Sequence, residues 1–231
     1  MAAGPGAPHD ERAVLAAACT ALKLFPLPGV VLLPGAATPF HLFEPRYRAL
    51  GEALLAGDGV VAVPTLVDAG EALAERAQLH PVAGVGRVAA AQRNDDGTID
   101  LVIRCEGRVR LLEEVTGATP WREFRAELLE DLLPEGGAEP LRSDVEAVEQ
   151  LCLELATLLP PESGAGQLAG AATRLRSPGA VADLVAAAAL GEPAARYRIL
   201  ETLEVTRRLK LVEEEVASVV LLLSRGRTPS A

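Results

Sequence analysis

Prolines constrain this chain most between residues 24 and 48, where LFPLPGVVLLPGAATPFHLFEPRYR carries five of them. Each removes a backbone donor and fixes φ, so Pro26, Pro28, Pro34 and Pro39 exclude a continuous helix and predict short extended segments with bends. Pro45 stands where a helix begins. The same stretch holds Phe25, Phe40, Phe43 and Tyr47 in a chain that is only 3% aromatic. The core is therefore built mostly from Leu, Val and Ala, and any aromatic in this ribbon stands out.

Length and composition bound the architecture. The 231 residues, 49% of them apolar, suffice for one large domain or two modest ones with a real core. Residues 22–33 and 37–43 read as strands, followed by a helix from Pro45 to about Leu55 that Gly57-Asp58-Gly59 ends. The apolar run 60–67 reads as a strand buried on both faces, and residues 68–79 as a loop or weak helix. GVGRVAAAQR then runs into Asn94-Asp95-Asp96-Gly97, where Asp-Gly between two strand-like runs predicts a hairpin with positive φ at both turn positions. On the return strand Ile99, Leu101, Ile103 and Cys105 alternate with Asp100, Val102 and Arg104, which assigns Cys105 to the core. Residues 108–111 and 124–128 repeat the alternation and complete the sheet.

PEGGAEP, residues 134–140, ends this pattern, and the period changes from two to 3.6. Ser143 and Glu146 form a capping-box pattern, and Val145, Val148, Cys152, Leu155 and Leu159 follow at helical spacing. After Pro160-Pro161 the Gly-rich stretch 164–170 leads into a weaker helix ending near Arg176. Ser177-Pro178 starts another, with Val181, Leu184, Val185 and Ala188 as its apolar face and Gly191 closing it. Pro193 starts a further helix. In the last segment Val205, Leu209, Val212, Val216, Val219 and Leu223 form a seam that predicts a long helix packed within the chain. At the other end, residues 1–9 read as a tail before a short helix capped by Asp10.

Several reaction classes lack their residues. The two lysines, Lys23 and Lys210, do not follow glycine, which excludes GxxxxGK[ST], and there is no GxSxG, SxxK or HExxH. Gly84-Val85-Gly86 reads as a close-packed strand or bulge, since a dinucleotide site needs a third glycine and a helix. Cys19, Cys105 and Cys152 are odd in number and widely spaced, and His9, His41 and His80 lie apart, so neither disulfides nor a metal site is expected. A reducing cytoplasm fits. No apolar run reaches membrane-spanning length. The 22 basic against 32 acidic residues, a net charge of −10, disfavour nucleic-acid binding. Arg46 and Arg48, the Arg104/Arg108/Arg110 group and Arg207/Arg208/Lys210 read as solvated faces. Glu44 reads as a helix-start residue paired with an arginine.

Residues 24–48 resemble the Lon substrate-binding domain, also called the LON N-terminal domain, in the form found in small stand-alone bacterial proteins. The resemblance is carried by the Phe-Pro-Leu opening at residues 24–27, the Leu-Pro-Gly step at 33–35 and Leu-Phe-Glu-Pro-Arg-Tyr-Arg at 42–48. VGRVAAAQRNDDGTIDLVIRCEGRVRL and the helical ADLVAAAAL and RYRILETLEVTRRLKLVEEEV extend it to about residues 22–225. Val109 departs from it, since the family often carries phenylalanine between these two arginines. The resemblance implies an α+β fold: a PUA-like bent β-barrel or sheet domain with one inserted helix at residues 22–133, then a C-terminal helical bundle at 141–226 ending in a long helix, with 1–21 as tail and short helix. It implies a non-catalytic protein- or peptide-binding module without ATPase or protease activity and without cofactor. Unfolded or apolar protein segments are the implied partners, with a protease or chaperone as associate. The ribbon residues Phe25, Leu33, Phe40, Phe43, Arg46 and Tyr47 are the candidate contacts, through a sheet edge or apolar groove. The alternatives are RNA or nucleotide-derivative binding through the PUA-like fold, and a hydrolase using Cys105 or Glu44.

Overall fold

The computed structural model describes residues 8–68, 70 and 76–226. Residues 1–7 of the expected tail, and part of the loop or weak helix at 68–79, lie outside them. The chain forms two compact units, Met1–Leu129 and Glu130–Ala231. The first is mostly strand and the second helical, an α+β fold with one six-stranded antiparallel sheet.

The first unit opens with α1 (Pro8–Ala18), so Asp10 lies inside the helix and not at its cap. There follow β1 (Leu22–Lys23), β2 (Ala37–Leu42), α2 (Pro45–Ala56), β3 (Val60–Val63), β4 (Val82–Arg93), β5 (Ile99–Val115) and β6 (Glu123–Leu129). The strand order is β1-β6-β5-β4-β3, with β2 paired to β5. Residues 22–33 are not one strand. After β1 the chain makes only single parallel bridges, Leu24 to Ala62 and Leu27 to Thr65, because Pro26 and Pro28 lack the N–H a ladder needs. Those bridges bring the two ends of the strand order together, and the sheet bends into a barrel. Pro64 similarly shortens the expected strand 60–67 to β3.

β5 is the hub of the sheet. One side pairs with β4, while the other pairs with β2 along residues 99–104 and with β6 along 108–115. Register shifts at Val85/Gly86, Val88/Ala90 and Leu111/Glu113 supply the bends. The first falls in the Gly-Val-Gly segment: a Cβ on Gly84 would stand 2.0 Å from the Leu32 carbonyl oxygen, and one on Gly86 1.9 Å from that of Arg104. The expected hairpin is present, but only Gly97 has positive φ (79°). Gly97 N–H donates to Asn94 O at 3.0 Å and Asn94 N–H to Thr98 O at 2.9 Å, so a longer loop with one left-handed glycine replaces the two-residue turn.

Two apolar clusters fill this unit. β3 serves both: Val61 and Val63 join Leu42, Tyr47, Leu50, Leu54, Ile99, Leu101, Ile103 and Cys105, while Val60 and Ala62 join Leu15, Cys19, Leu22, Leu24, Val85 and Val109. The continuous apolar run of β3 thus reflects burial on both faces. Each fully buried leucine or valine contributes roughly 1.5–3 kcal/mol relative to exposure. Val109, the departure from the family pattern, is interior.

The second unit comprises α3 (Arg142–Leu158), α4 (Ala165–Ala172), α5 (Pro178–Ala189), α6 (Pro193–Glu201) and α7 (Val205–Gly226). A 3₁₀ turn at Glu139–Leu141 leads into α3, which places Ser143 inside the helix, and the capping box does not form. α4 occupies the Gly-rich stretch itself and stops before Arg176. Ser177 does cap α5, its Oγ accepting the Ala180 N–H at 3.4 Å, though the helix ends at Ala189 with Leu190, rather than Gly191, as its C-cap. Ala188 is exposed, and Asp183, 2% exposed, is buried on the side of α5 opposite Val181 and Val185, so the helix is covered on more than one face. The α7 seam from Val205 to Val216 is buried. Arg208, expected on a solvated face, is 0% exposed; its Nη1 donates to both Asp183 oxygens at 3.1 and 3.2 Å, and its Nη2 to Asp131. Arg108 is likewise interior, at 5%.

Candidate functional site

The six ribbon residues fall into two groups. Phe25, Leu33 and Tyr47 are buried, and Phe40 is half-buried against them. The Phe25 ring meets Phe40 edge-on at 5.4 Å and Tyr47 at 4.8 Å, and Tyr47 Oη donates to Pro26 O at 3.3 Å. Burial raises the Tyr47 phenol above its ordinary range. Arg46 lies 4.5 Å over the Tyr47 ring, and its Nε donates to Glu44 Oε2 at 2.9 Å. The Phe-Glu-Pro-Arg-Tyr sequence is therefore a local clamp: Pro45 starts α2, Glu44 precedes it and holds Arg46, and Tyr47 turns inward. Phe43 alone stands out, at 65% exposure.

Phe43 stacks on His41, which lines an open apolar recess on the sheet. An open cavity of about 440 Å³ is lined by Pro39, Phe40 and His41 of β2, Asp100, Leu101 and Val102 of β5, and Ala90, Ala91 and Gln92 of β4. The register explains it. His41 lies opposite Asp100 and Pro39 opposite Val102, while Gln92 and Ala90 flank the same two residues on β4, so these side chains share the solvent-facing side. Small Ala90 leaves space beside Val102. Phe43 continues the row, its ring stacked on His41 at 6.2 Å.

The upper rim of the recess is polar and ordered. His41 Nδ1 lies 2.6 Å from Asp100 Oδ1, Asn94 Nδ2 donates to Asp100 Oδ2 at 2.9 Å, and Thr98 Oγ1 donates to Asp96 Oδ1 at 2.7 Å. The hydrogen bonds from Asn94 and His41 hold the Asp100 carboxyl below its usual range, and those from Thr98 do the same for Asp96. Two residues beyond Val102, on the same side of β5, Arg104 is exposed opposite Ala37. Among the described residues its guanidinium has no carboxylate within ion-pair distance. Neighbouring Glu106 is held by Arg87 Nε at 2.9 and 3.1 Å.

Two further recesses, one polar and one mixed, lie elsewhere on the unit, both containing Arg76, Glu114 and Arg122. There Arg122 is engaged by Glu114 at 2.8 and 3.1 Å and by Ala77 O at 2.8 Å. Among the described residues no group of three His, Cys, Asp or Glu is placed to hold a metal ion. Cys105 is buried, its Sγ within 3.4–3.6 Å of the carbonyl oxygens of Gly107, Val85 and Leu32. Of the residues around the apolar recess, the sequence reading named Phe40 and Phe43. Pro39, His41, Asp100, Val102, Ala90 and Gln92 were missed, though one signal was available: Val102 is an apolar residue on the polar parity of its strand.

A bent antiparallel barrel with an inserted helix, followed by a helical unit and carrying an open apolar recess, defines a two-part α+β domain. The chain belongs to the Lon substrate-binding domain family: the family model described as the ATP-dependent protease La (LON) substrate-binding domain matches residues 21–218. Its relatives include the Lon protease of Desulfosudis oleivorans, 26% identical over 208 residues, which cover 89% of this chain and 25% of that protein. The Lon protease of Paraburkholderia phytofirmans is 31% identical over 215 residues, covering 87% and 25%. The chain thus spans about a quarter of the length of these relatives. Among solved structures, the N-terminal domain of a Mycobacterium avium complex Lon protease superimposes with a TM-score of 0.68 at 17% identity, covering 85% of this chain and 98% of that one. A Lon N-terminal domain protein from Xanthomonas campestris gives 0.57 at 19%, covering 83% and 95%. At these identities the superpositions show the fold.

Proposed function

We propose that this chain recognises apolar segments of unfolded proteins and holds them on the outer face of β2, β5 and β4, acting in the cytoplasm beside a protease or chaperone and catalysing no reaction itself. One observation carries the site: Phe43 is turned to solvent and stacks on His41 of an apolar recess that Phe40 also lines, while Phe25 and Tyr47 of the same ribbon pack inward. An exposed aromatic beside a preformed apolar hollow is the arrangement that concentrates binding energy at protein interfaces. Family membership supports protein substrates as the ligand class.

The test is binding of fluorescein-labelled, reduced and carboxymethylated α-lactalbumin, followed by anisotropy. Phe43→Ser and Val102→Asp are each expected to weaken it by about tenfold or more, equivalent to about 1.4 kcal/mol. Both positions face solvent or the recess, so the far-UV circular dichroism stays unchanged. Wild-type affinity in both variants would sink the placement. The RNA alternative requires affinity that falls steeply with salt. Arg46, Arg87, Arg93, Arg110, Arg122 and Arg125 are instead paired with carboxylates, which supports a shallow salt dependence.

A further inference from the structure

We infer that the occupant of this face adds to β2 as an extra strand, and that the site selects extended segments carrying an apolar residue next to Pro39 and a carboxylate two positions away that pairs with Arg104. The inference rests on the recognition of protein segments proposed above and adds to it the geometry and chemistry of the segment.

β2 pairs with β5 and with no other described strand, so one edge is open. Antiparallel pairing alternates between residues whose backbone groups face the partner and residues whose groups face away. Pro39 has no N–H to give, and Cys105 N–H donates to Ala36 O at 2.8 Å, one residue before the strand. Both observations give the same parity: Thr38, Phe40 and Leu42 bond to β5, while Ala37, Pro39 and His41 face the open edge. That edge offers the N–H groups of Ala37 and His41 and three carbonyl oxygens. The missing donor at Pro39 interrupts it, which discourages indiscriminate strand pairing and leaves discrimination to side chains.

The side chains supply that discrimination. An added strand places every second residue on the recess side, next to His41, Pro39 and Ala37. The residue beside Pro39 packs on the Pro39 ring, at the edge of the apolar row that Val102 and Ala90 continue across β5 and β4. The residue beside Ala37 faces Arg104 across a methyl group. The span from β5 to an added strand is two strand spacings, about 10 Å, which an arginine and a glutamate side chain bridge together. At the other rim Asp100 is already engaged by His41 and Asn94. Among the described residues Arg104 is a cation of this face without a carboxylate in ion-pair reach, and a segment bearing one completes it.

The probe is a fluorescein-labelled, acetylated and amidated nonapeptide of alternating threonine and valine with one glutamate in the valine series, compared with its lysine counterpart and with two versions N-methylated on alternate amides. The glutamate peptide is expected to bind at least tenfold more tightly than the lysine peptide, and Arg104→Glu to reverse that order. N-methylation of one parity abolishes binding and that of the other leaves it intact. On binding, the amide hydrogens of Ala37 and His41 exchange at least tenfold more slowly. If the unfolded protein binds in a Val102-dependent way but those two amides keep their free exchange rates, strand addition is wrong while protein recognition stands. Absence of any binding overturns both. A concentration-dependent dimer of the chain that protects the same amides identifies a second copy as the occupant, and also overturns the inference.

Discussion

At the scale of single residues, the carbonyl oxygen of Leu32 decides residue 84. With 2.0 Å to the nearest backbone atom, any Cβ there forces the ribbon off β4, and Gly84→Ala is expected to lose about 3 kcal/mol or more in urea denaturation. Gly166, in α4 with open space around it, behaves oppositely: Gly166→Ala is expected to gain about 0.5–1 kcal/mol. Arg208 is the second deciding residue. Its guanidinium, fully buried, bridges Asp183 and Asp131, so Arg208→Met leaves the nearly inaccessible Asp183 carboxylate without its main partner. A loss of about 3–5 kcal/mol is expected by thermal or chemical denaturation, and Asp183→Asn in the same background is expected to restore part of it. The sequence named the Gly-Val-Gly bulge correctly, because small residues in a strand pattern signal close approach. It placed Arg208 wrongly, because an arginine at helical spacing looks solvated until the acid from another element is seen beside it.

At the scale of elements, two serines with similar sequence contexts have different fates. Ser177 accepts a backbone N–H at the start of α5, whereas Ser143 is already inside α3. Ser177→Ala is expected to lower stability by about 1 kcal/mol and Ser143→Ala to leave it within about 0.5 kcal/mol, both read from denaturation midpoints. A capping box is a local pattern that a preceding 3₁₀ turn can shift out of register. The β4–β5 hairpin makes a pH prediction. Asp96 and Asp100 are depressed, so what they contribute is complete above the unfolded carboxylate value, about 3.9, and is lost as pH falls through their lower folded values. Carbon-detected NMR titration is expected to give midpoints below that value for both, and faster amide exchange at the loop once they protonate.

At the scale of the whole molecule, the two units carry separate thiol reporters. Cys19 and Cys105 lie in the first and Cys152 in the second, all buried. Burial raises the Cys19 thiol and pushes Cys152 up to about 11, so at neutral pH both are protonated as well as shielded. Native protein is therefore expected to react with a disulfide reagent only through unfolding, and single-cysteine variants to report the opening of each unit separately. Fast labelling of native protein would contradict this. The order of elements, the change from period two to 3.6, the core parity of Ile99 to Cys105 and the family itself were determined by the sequence, because alternation, helical spacing and proline placement act through neighbours along the chain. The open edge of β2, the recess beside Phe43, the inward turn of Phe25 and Tyr47 and the burial of Arg208 were decided only by the tertiary structure. Each depends on which strand lies beside which, or on a charge supplied from a distant element, and no local pattern encodes that.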